Sequence, residues 1–252
     1  MSGDALRELA AAPERAGILL DFDGSLSEIA PTPDAARAID GAAETLTALA
    51  RRFRTVAVIS GRRAAEVAQR LAGATGVRIF GLYGLEDERG PVSADAADRM
   101  EAAARALPDI ERAAAFVPGT LVEPKGLQVA VHYRGSADPE HARRILVARL
   151  SAVARERGFE VLEGRRVVEV APPGAPSKGA VVASLAGDER LDPVLYAGDD
   201  LADLDAFGAV AARGGVRVAV RSAESPPQLL AEADLVVDGP AGLLELLRGL
   251  LR

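Results

Sequence analysis

The feature that most constrains this chain is a repeated pattern in which a short, continuously apolar run stops abruptly at acidic or hydroxyl residues and is followed by a helical stretch. Gly17-Ile18-Leu19-Leu20 ends in Asp21-Phe22-Asp23-Gly24, Thr55-Val56-Ala57-Val58-Ile59 ends in Ser60-Gly61-Arg62, and Val194-Leu195-Tyr196-Ala197 ends in Gly198-Asp199-Asp200. Runs without polar alternation suit strands buried on both faces, as in parallel sheets covered by helices. Between them, Pro33 to Arg52, a stretch through Leu71, 177 to 186 and 203 to 211 carry helical spacing, with a third strand at Val77 to Phe80. The β-α-β order predicts an α/β fold: an open, parallel, Rossmann-like core.

The middle of the chain changes style. Residues 81–92, rich in Gly and charge, read as a linker. Beyond it a helix from Ser93 to Ala115, strands Leu121 to Glu123 and Leu127 to Arg134, a helix from Asp138 to Arg157 and a hairpin across Phe159 to Val170 predict an antiparallel sheet with two helices on one face. Pro172-Pro173-Gly174-Ala175-Pro176 reads as the returning linker, and strands Val216 to Val220 and Asp234 to Val237 with a leucine-rich last helix restore the first style. The expected organisation is a core of 1–86 and 174–252 interrupted by an α+β cap at 87–173.

Composition removes several classes. No cysteine and two histidines, His132 and His141, leave little for a zinc site or a Ser-His-Asp triad. Thirty Lys+Arg against thirty-seven Asp+Glu give a net charge of -7, which repels nucleic-acid phosphates and anionic lipid. The opening MSGDALRELAAAPERAG lacks the basic start of a secretory signal, and no long apolar run suggests a membrane span, so the reading is a cytoplasmic protein; a monomer acting on a small molecule is the separate expectation. Only two of the thirty cations are lysine, Lys125 and Lys178, so each invites a reason for a compact ammonium.

Ligands of open parallel sheets lie beyond the carboxyl ends of the strands. That edge receives Asp21, Asp23, Ser60, Asp199 and Asp200, with Lys178 opening the helix before the Val194 strand. Carboxylates gathered there repel one another without a cation, and oxygen ligands without Cys favour Mg2+ over Zn2+. Lysine, hydroxyl and a hard cation around an aspartate suit phosphoryl transfer, since a dianion ~4 Å from a carboxylate meets about 4 kcal/mol of repulsion per charge pair at a dielectric of ~20. Each motif also has a plain reading: Asp-x-Asp-Gly as a turn, Ser60 as a helix cap, Lys178 as a solvated residue, Asp199-Asp200 as a capping pair.

Taken in order, Asp21-Phe22-Asp23-Gly24-Ser25-Leu26, Ser60-Gly61-Arg62, Lys178-Gly179 and Gly198-Asp199-Asp200 resemble the four motifs of the haloacid dehalogenase superfamily of phosphatases. Val122-Glu123-Pro124-Lys125-Gly126 with Ala130-Val131-His132-Tyr133-Arg134 is similar to the trehalose-6-phosphate phosphatases within it. The resemblance implies hydrolysis of that sugar phosphate, with another sugar phosphate or a phosphosugar mutase reaction as the alternative. It implies Asp21 as nucleophile, Asp23 as acid and base, and Ser60, Gly61, Arg62 and Lys178 on the phosphoryl group. It further implies Mg2+ held by Asp21, the Asp23 carbonyl and Asp199, with Asp200 as a further ligand or a partner of the ligands, and Glu123, Lys125, His132 and Arg134 facing the sugar from the cap. The chain departs from that family in having Ser25 for Thr, Leu82-Tyr83 for a common Asn-His pair, and Ala202-Asp203-Leu204 for Thr-Asp-Glu.

Overall fold

The computed structural model of the chain describes residues 2–30, 33–92, 95–164, 166–174 and 177–252. Along the chain these residues form α1 (Ser2–Ala11), β1 (Gly17–Leu20), α2 (Ala42–Arg52), β2 (Thr55–Ile59), α3 (Ala64–Arg70), β3 (Arg78–Gly81), β4 (Glu86–Asp87), β5 (Gly90–Pro91) and α4 (Asp95–Ala114). Then come β6 (Leu121–Pro124), β7 (Val129–His132), α5 (Pro139–Arg157), β8 (Glu160–Gly164), β9 (Val167–Ala171), α6 (Lys178–Asp188), β10 (Val194–Gly198), α7 (Leu204–Ala211), β11 (Val216–Arg221), α8 (Pro227–Glu232), β12 (Leu235–Asp238) and α9 (Gly239–Gly249). Short 3₁₀ turns cover Pro33–Ala35, Leu82–Gly84 and Leu201–Asp203. Ser93, expected to open the middle helix, and Ala175-Pro176 of the second linker lie outside the described residues.

The chain divides into two compact units, Met1–Gly90 with Pro176–Arg252, and Pro91–Ala175. The first holds a sheet ordered β12-β11-β10-β1-β2-β3-β4-β5, parallel from β12 to β3. Its central strands are buried along their whole length, which explains their unbroken apolar sequences. Alternate side chains serve opposite faces. Ile18, Leu20, Val56, Val58, Leu195 and Ala197 pack with Leu46 and Leu49 of α2, Val67 of α3 and Leu243 and Leu247 of α9. Leu19, Ala57, Ile59 and Tyr196 pack with Val182 and Leu185 of α6, Phe207 and Val210 of α7 and Leu229 of α8.

Strand order reverses at β1, where the chain proceeds one way to β2 and β3 and returns on the other side through β10 and β11. Leu20 is in register with both Val58 and Ala197. The carboxyl ends of β1, β2 and β10 are therefore level, and the residues that follow them emerge together at the switch point.

In the second unit α4 and α5 cover one face of the antiparallel sheet β6-β7-β9-β8. Val129, Val131, Tyr133, Val168 and Val170 point to these helices and meet Ile110, Leu146 and Leu150. Helix α5 starts where sequence signals place it: Asp138 accepts a hydrogen bond from the His141 N–H at 3.0 Å, Pro139 is the first helical residue, and Gly158 ends the helix in a left-handed conformation. No helix among the described residues is long and apolar enough to cross a membrane.

Three expectations are corrected. The helix read across Pro33 to Arg52 is a 3₁₀ turn followed by irregular chain, and α2 begins only at Ala42 after Gly41, whose left-handed φ of 83° interrupts any helix there; an added Cβ would clash with the Arg248 guanidinium, so the position suits glycine alone. The segment read as a linker, 81–92, instead supplies a 3₁₀ turn, β4 antiparallel to β3, and β5 beside it. The strand read to Arg134 stops at His132, so Arg134 is exposed in the turn that follows and strand alternation does not govern it.

Candidate active site

Asp21 leaves β1 with its N–H bonded to the Ala197 carbonyl at 2.9 Å, which holds it against β10. It is 4% exposed, and its Oδ1 accepts a hydrogen bond from Lys178 Nζ at 2.7 Å. Lys178 is the first residue of α6, whose cap is Ser177 accepting from the Ala180 N–H at 3.2 Å. A cation at the positive end of a helix dipole is mildly unfavourable, so the position is explained by its acidic partners and not by the helix. Gly179 permits it: a Cβ there would lie 2.5 Å from the Asp205 carbonyl oxygen of α7.

Lys178 Nζ also donates to Asp203 Oδ1 at 2.7 Å. The same oxygen accepts from Tyr196 Oη at 2.6 Å, while Oδ2 accepts from the N–H groups of Asp199 and Asp200 at 2.9 and 3.0 Å. A carboxylate offers about four acceptor positions, so these donors occupy all that Asp203 has. Asp200 is a cap as well, its Oδ1 accepting from the Leu201 N–H at 2.7 Å. The capping reading of the acidic pair therefore holds for Asp200, whose side chain opens the Leu201–Asp203 turn.

Charge at this edge is concentrated and dry. Burial pushes the Asp21 carboxyl well above its ordinary value, opposed by Lys178 and reinforced by Asp203, Asp199 and Asp23. Burial pushes the Lys178 ammonium down, but Asp203 and Asp21 outweigh it and hold the group well above its ordinary value, hence charged. Tyr196 is raised by burial and by Asp203, so its phenol stays a donor.

Oxygens of Asp21, Asp199 and Asp203 lie within 4.8 Å of one another. One small cation with oxygens at ~2.1 Å fits such a span, since opposite ligands then stand ~4 Å apart. Because the acceptor positions of Asp203 are taken, Asp21 and Asp199 are the members of the trio suited to hold it. Room for Asp199 comes from Gly24, where φ is 76° and a Cβ would fall 2.1 Å from Asp199 Oδ2. Hard oxygen donors without sulfur or imidazole match a divalent metal of the Mg2+ class.

Asp23 stands apart from the trio. Its carboxylate is gripped by Arg62, Nε to Oδ2 and Nη2 to Oδ1, both at 2.7 Å. The Arg62 side chain is 9% exposed and that of Asp23 is 44% exposed. Ser60 is buried at the end of β2, and its Oγ accepts from the Arg62 N–H at 3.1 Å. It does not cap α3. The Ala64 N–H is met at 2.6 Å by Oε1 of Glu86 from β4, a buried carboxylate the sequence reading missed. Its partner lies 22 residues away, beyond the reach of any local capping signature.

In the second unit the sheet face away from α4 and α5 carries most of the expected sugar-facing residues. His132 Nε2 lies 2.7 Å from Glu123 Oε2, and Lys125 Nζ lies 3.9 Å from the same atom and 2.9 Å from Glu169 Oε1. Gln128 Nε2 adds a bond to Glu169 Oε1 at 3.2 Å. Ala130 is paired with both Glu123 and Glu169, so its small side chain lets the two carboxylates flank one strand. Glu169 and Gln128 were not anticipated as part of this face, although the Val-Glu-Val alternation of β9 does place Glu169 opposite the apolar side.

A model of the family described as trehalose-phosphatase matches residues 19–240. The trehalose-phosphate phosphatase of Mycobacterium ulcerans is 37% identical over 244 residues, which cover 92% of this chain and 60% of that protein. An uncharacterized glycosyl hydrolase of Mycobacterium tuberculosis is 40% identical over 226 residues, 83% of this chain and 16% of that protein. The chain thus spans about three fifths of the first relative's length and about a sixth of the second's. In fold, the C-terminal domain of a Candida albicans trehalose-6-phosphate phosphatase superposes with a TM-score of 0.84 at 23% identity, covering 100% of this chain and 97% of that one. The family match begins inside β1, just ahead of Asp21, and runs past Lys178, Asp199 and Asp203 to the start of α9: the chain belongs to the trehalose-phosphatase family.

Proposed function

We propose that the chain is a Mg2+-dependent phosphatase that hydrolyses trehalose 6-phosphate through an aspartyl-phosphate on Asp21. The observation that carries this reading is the buried Asp21–Lys178–Asp203 chain beside Asp199, because it fixes one aspartate beside an ammonium in a water-poor site. An Asp21 oxygen attacks phosphorus as the bond to the sugar oxygen breaks, and Asp23 delivers the proton that oxygen needs. Water then attacks the same phosphorus, Asp23 takes its proton, phosphate leaves and Asp21 is restored. When bound, a divalent cation held by Asp21 and Asp199 offsets the repulsion between carboxylate and phosphoryl group.

Ser60 is well placed to bind a phosphoryl oxygen, because its Oγ accepts from the Arg62 N–H and so keeps its own proton to donate. Lys178 supplies the fixed positive charge, oriented by Asp203. Arg62 holds both oxygens of Asp23 through one bond each, which orients the carboxylate and leaves a second position on each oxygen for the transferred proton. Recognition of the sugar hydroxyls is assigned to the polar sheet face of the second unit, where Glu123 and Glu169 accept, Lys125 donates and His132 does either, and to Arg134 in the exposed turn that follows β7.

The test measures phosphate release from trehalose 6-phosphate, glucose 6-phosphate and p-nitrophenyl phosphate, after chelation and with Mg2+ restored, for wild type and Lys125→Ala. Trehalose 6-phosphate should be the best sugar substrate, and only with metal. Lys125→Ala should lower its kcat/KM by roughly ten- to a hundredfold while leaving p-nitrophenyl phosphate nearly unchanged. Turnover in chelator would refute the metal, preference for glucose 6-phosphate would refute the sugar, and equal losses on both substrates would refute the role given to the sheet face.

A further inference from the structure

Immediately after β3, Leu82 and Tyr83 both adopt left-handed backbone conformations, with φ of 50° and 57°. Consecutive non-glycine residues there are sterically strained, and neither has the short polar side chain that eases it. The surroundings hold the turn in place. The Leu82 N–H bonds to the Arg62 carbonyl at 2.8 Å and the Tyr83 N–H to the Ser60 carbonyl at 2.9 Å, while the Leu82 side chain is fully buried. On the other side, a Cβ on Gly84 would lie 2.1 Å from Val181 Cγ2, three residues after Lys178. The turn is therefore wedged between the Ser60–Arg62 loop and the helix that presents Lys178.

What this strained turn positions is the Tyr83 phenol. A Cβ on Gly61 would come within 2.8 Å of both Cζ and Oη of Tyr83, so the hydroxyl end of the ring lies over the Ser60-Gly61-Arg62 loop. Tyr83 is only partly buried, so core packing alone does not account for the placement. At neutral pH a phenol is an O–H donor. Strain retained at the junction of two ligand-binding elements is a common mark of a functional residue.

We propose that Tyr83 is a further phosphoryl-binding residue, its hydroxyl donating a hydrogen bond to a non-bridging oxygen of a phosphomonoester held by Ser60, Gly61 and Lys178. This assignment rests on the phosphatase reading above, but not on the identity of the sugar. It extends the phosphate cradle to the turn after β3, where this chain has Leu82-Tyr83 in place of the Asn-His pair common in the resembling family.

Tyr83→Phe removes one oxygen and keeps the ring that covers Gly61, so the turn should persist. Wild type and variant are compared by kcat/KM for trehalose 6-phosphate and p-nitrophenyl phosphate, by inhibition with orthovanadate as a phosphoryl mimic, and by Tm. The expected result is a roughly tenfold fall in kcat/KM on both substrates and a roughly tenfold weaker vanadate inhibition, with Tm unchanged. Vanadate inhibition within about twofold of wild type would overturn the assignment, whether or not turnover fell, since a hydroxyl that shapes only the loop leaves the mimic's contacts intact. A wild-type protein that cleaves p-nitrophenyl phosphate but not trehalose 6-phosphate would refute the sugar and leave the Tyr83 comparison in force. One that neither cleaves a phosphomonoester nor binds vanadate would refute both readings.

Discussion

At the scale of single residues, the site is organised around a carboxylate that has no capacity left for substrate or metal. Asp203 is fully buried and spends its acceptor positions on Lys178, Tyr196 and two backbone N–H groups. Its effect is to aim the Lys178 ammonium at Asp21. Two bonds of 2.7 Å from one nitrogen to two buried aspartates suit a compact tetrahedral donor and not a planar fork. Lys178→Arg should therefore lower kcat at least about a hundredfold despite keeping the charge, as steady-state kinetics can check. Near-normal turnover would remove the geometric argument. The rarity of lysine in an arginine-rich chain already singled out Lys178, and its contacts supply the reason. Asp203 was not legible in the same way: an aspartate four residues after Asp199 at a helix start looks like ordinary capping, and only the fold brings Lys178 and Tyr196 onto it. Gly24 was visible as a turn residue, yet its second duty, leaving room for the Asp199 carboxylate, depends on a strand 170 residues away in sequence.

Among elements, what was readable depended on whether the signal was local. Strands β1, β2 and β10 were legible because burial on both faces leaves no polar alternation, and α5 because its cap, proline and terminal glycine are all sequence-adjacent. The start of α2 was misread because Ala36 and Ile39 continue an apolar spacing, although they pack on the core from irregular chain. The segment after β3 was misread because its glycines and charges mimic a linker, whereas Glu86 is buried and caps α3. The outer edge of the parallel sheet carries its own electrostatic fastening. On β11, Arg217 donates to Asp234, just ahead of β12, through Nε at 2.9 Å, Nη2 at 2.7 Å and its backbone N–H at 2.9 Å. The Arg217 side chain holds the Asp234 carboxyl below its ordinary value of 3.8, against a smaller opposing effect of burial. A carboxyl lowered by folding contributes stability above its unfolded value and loses it as pH falls through the folded one. Asp234→Asn should thus cost about 1 kcal/mol at neutral pH, with the difference from wild type shrinking in acid below 3.8, measured by urea unfolding. A constant difference across that range would show that charge is not the source.

For the whole molecule, the proposed function assigns the chemistry to one sheet edge of the first unit and recognition of the sugar to the polar sheet face of the second. The match to relatives covers 83% and 92% of this chain but only 16% and 60% of theirs, which marks the two units together as a module that occurs beside other segments in longer proteins. Everything proposed for it turns on Asp21 acting as a nucleophile and not as a mere counter-ion for Lys178. The most direct measurement is the kcat of Asp21→Asn on trehalose 6-phosphate and p-nitrophenyl phosphate with saturating Mg2+, alongside circular dichroism to show that the fold is retained. A carboxamide cannot form the acyl-phosphate, so the account predicts a fall of ~10³-fold or more on both substrates in a folded protein. A folded variant that keeps about a tenth or more of wild-type kcat would contradict it.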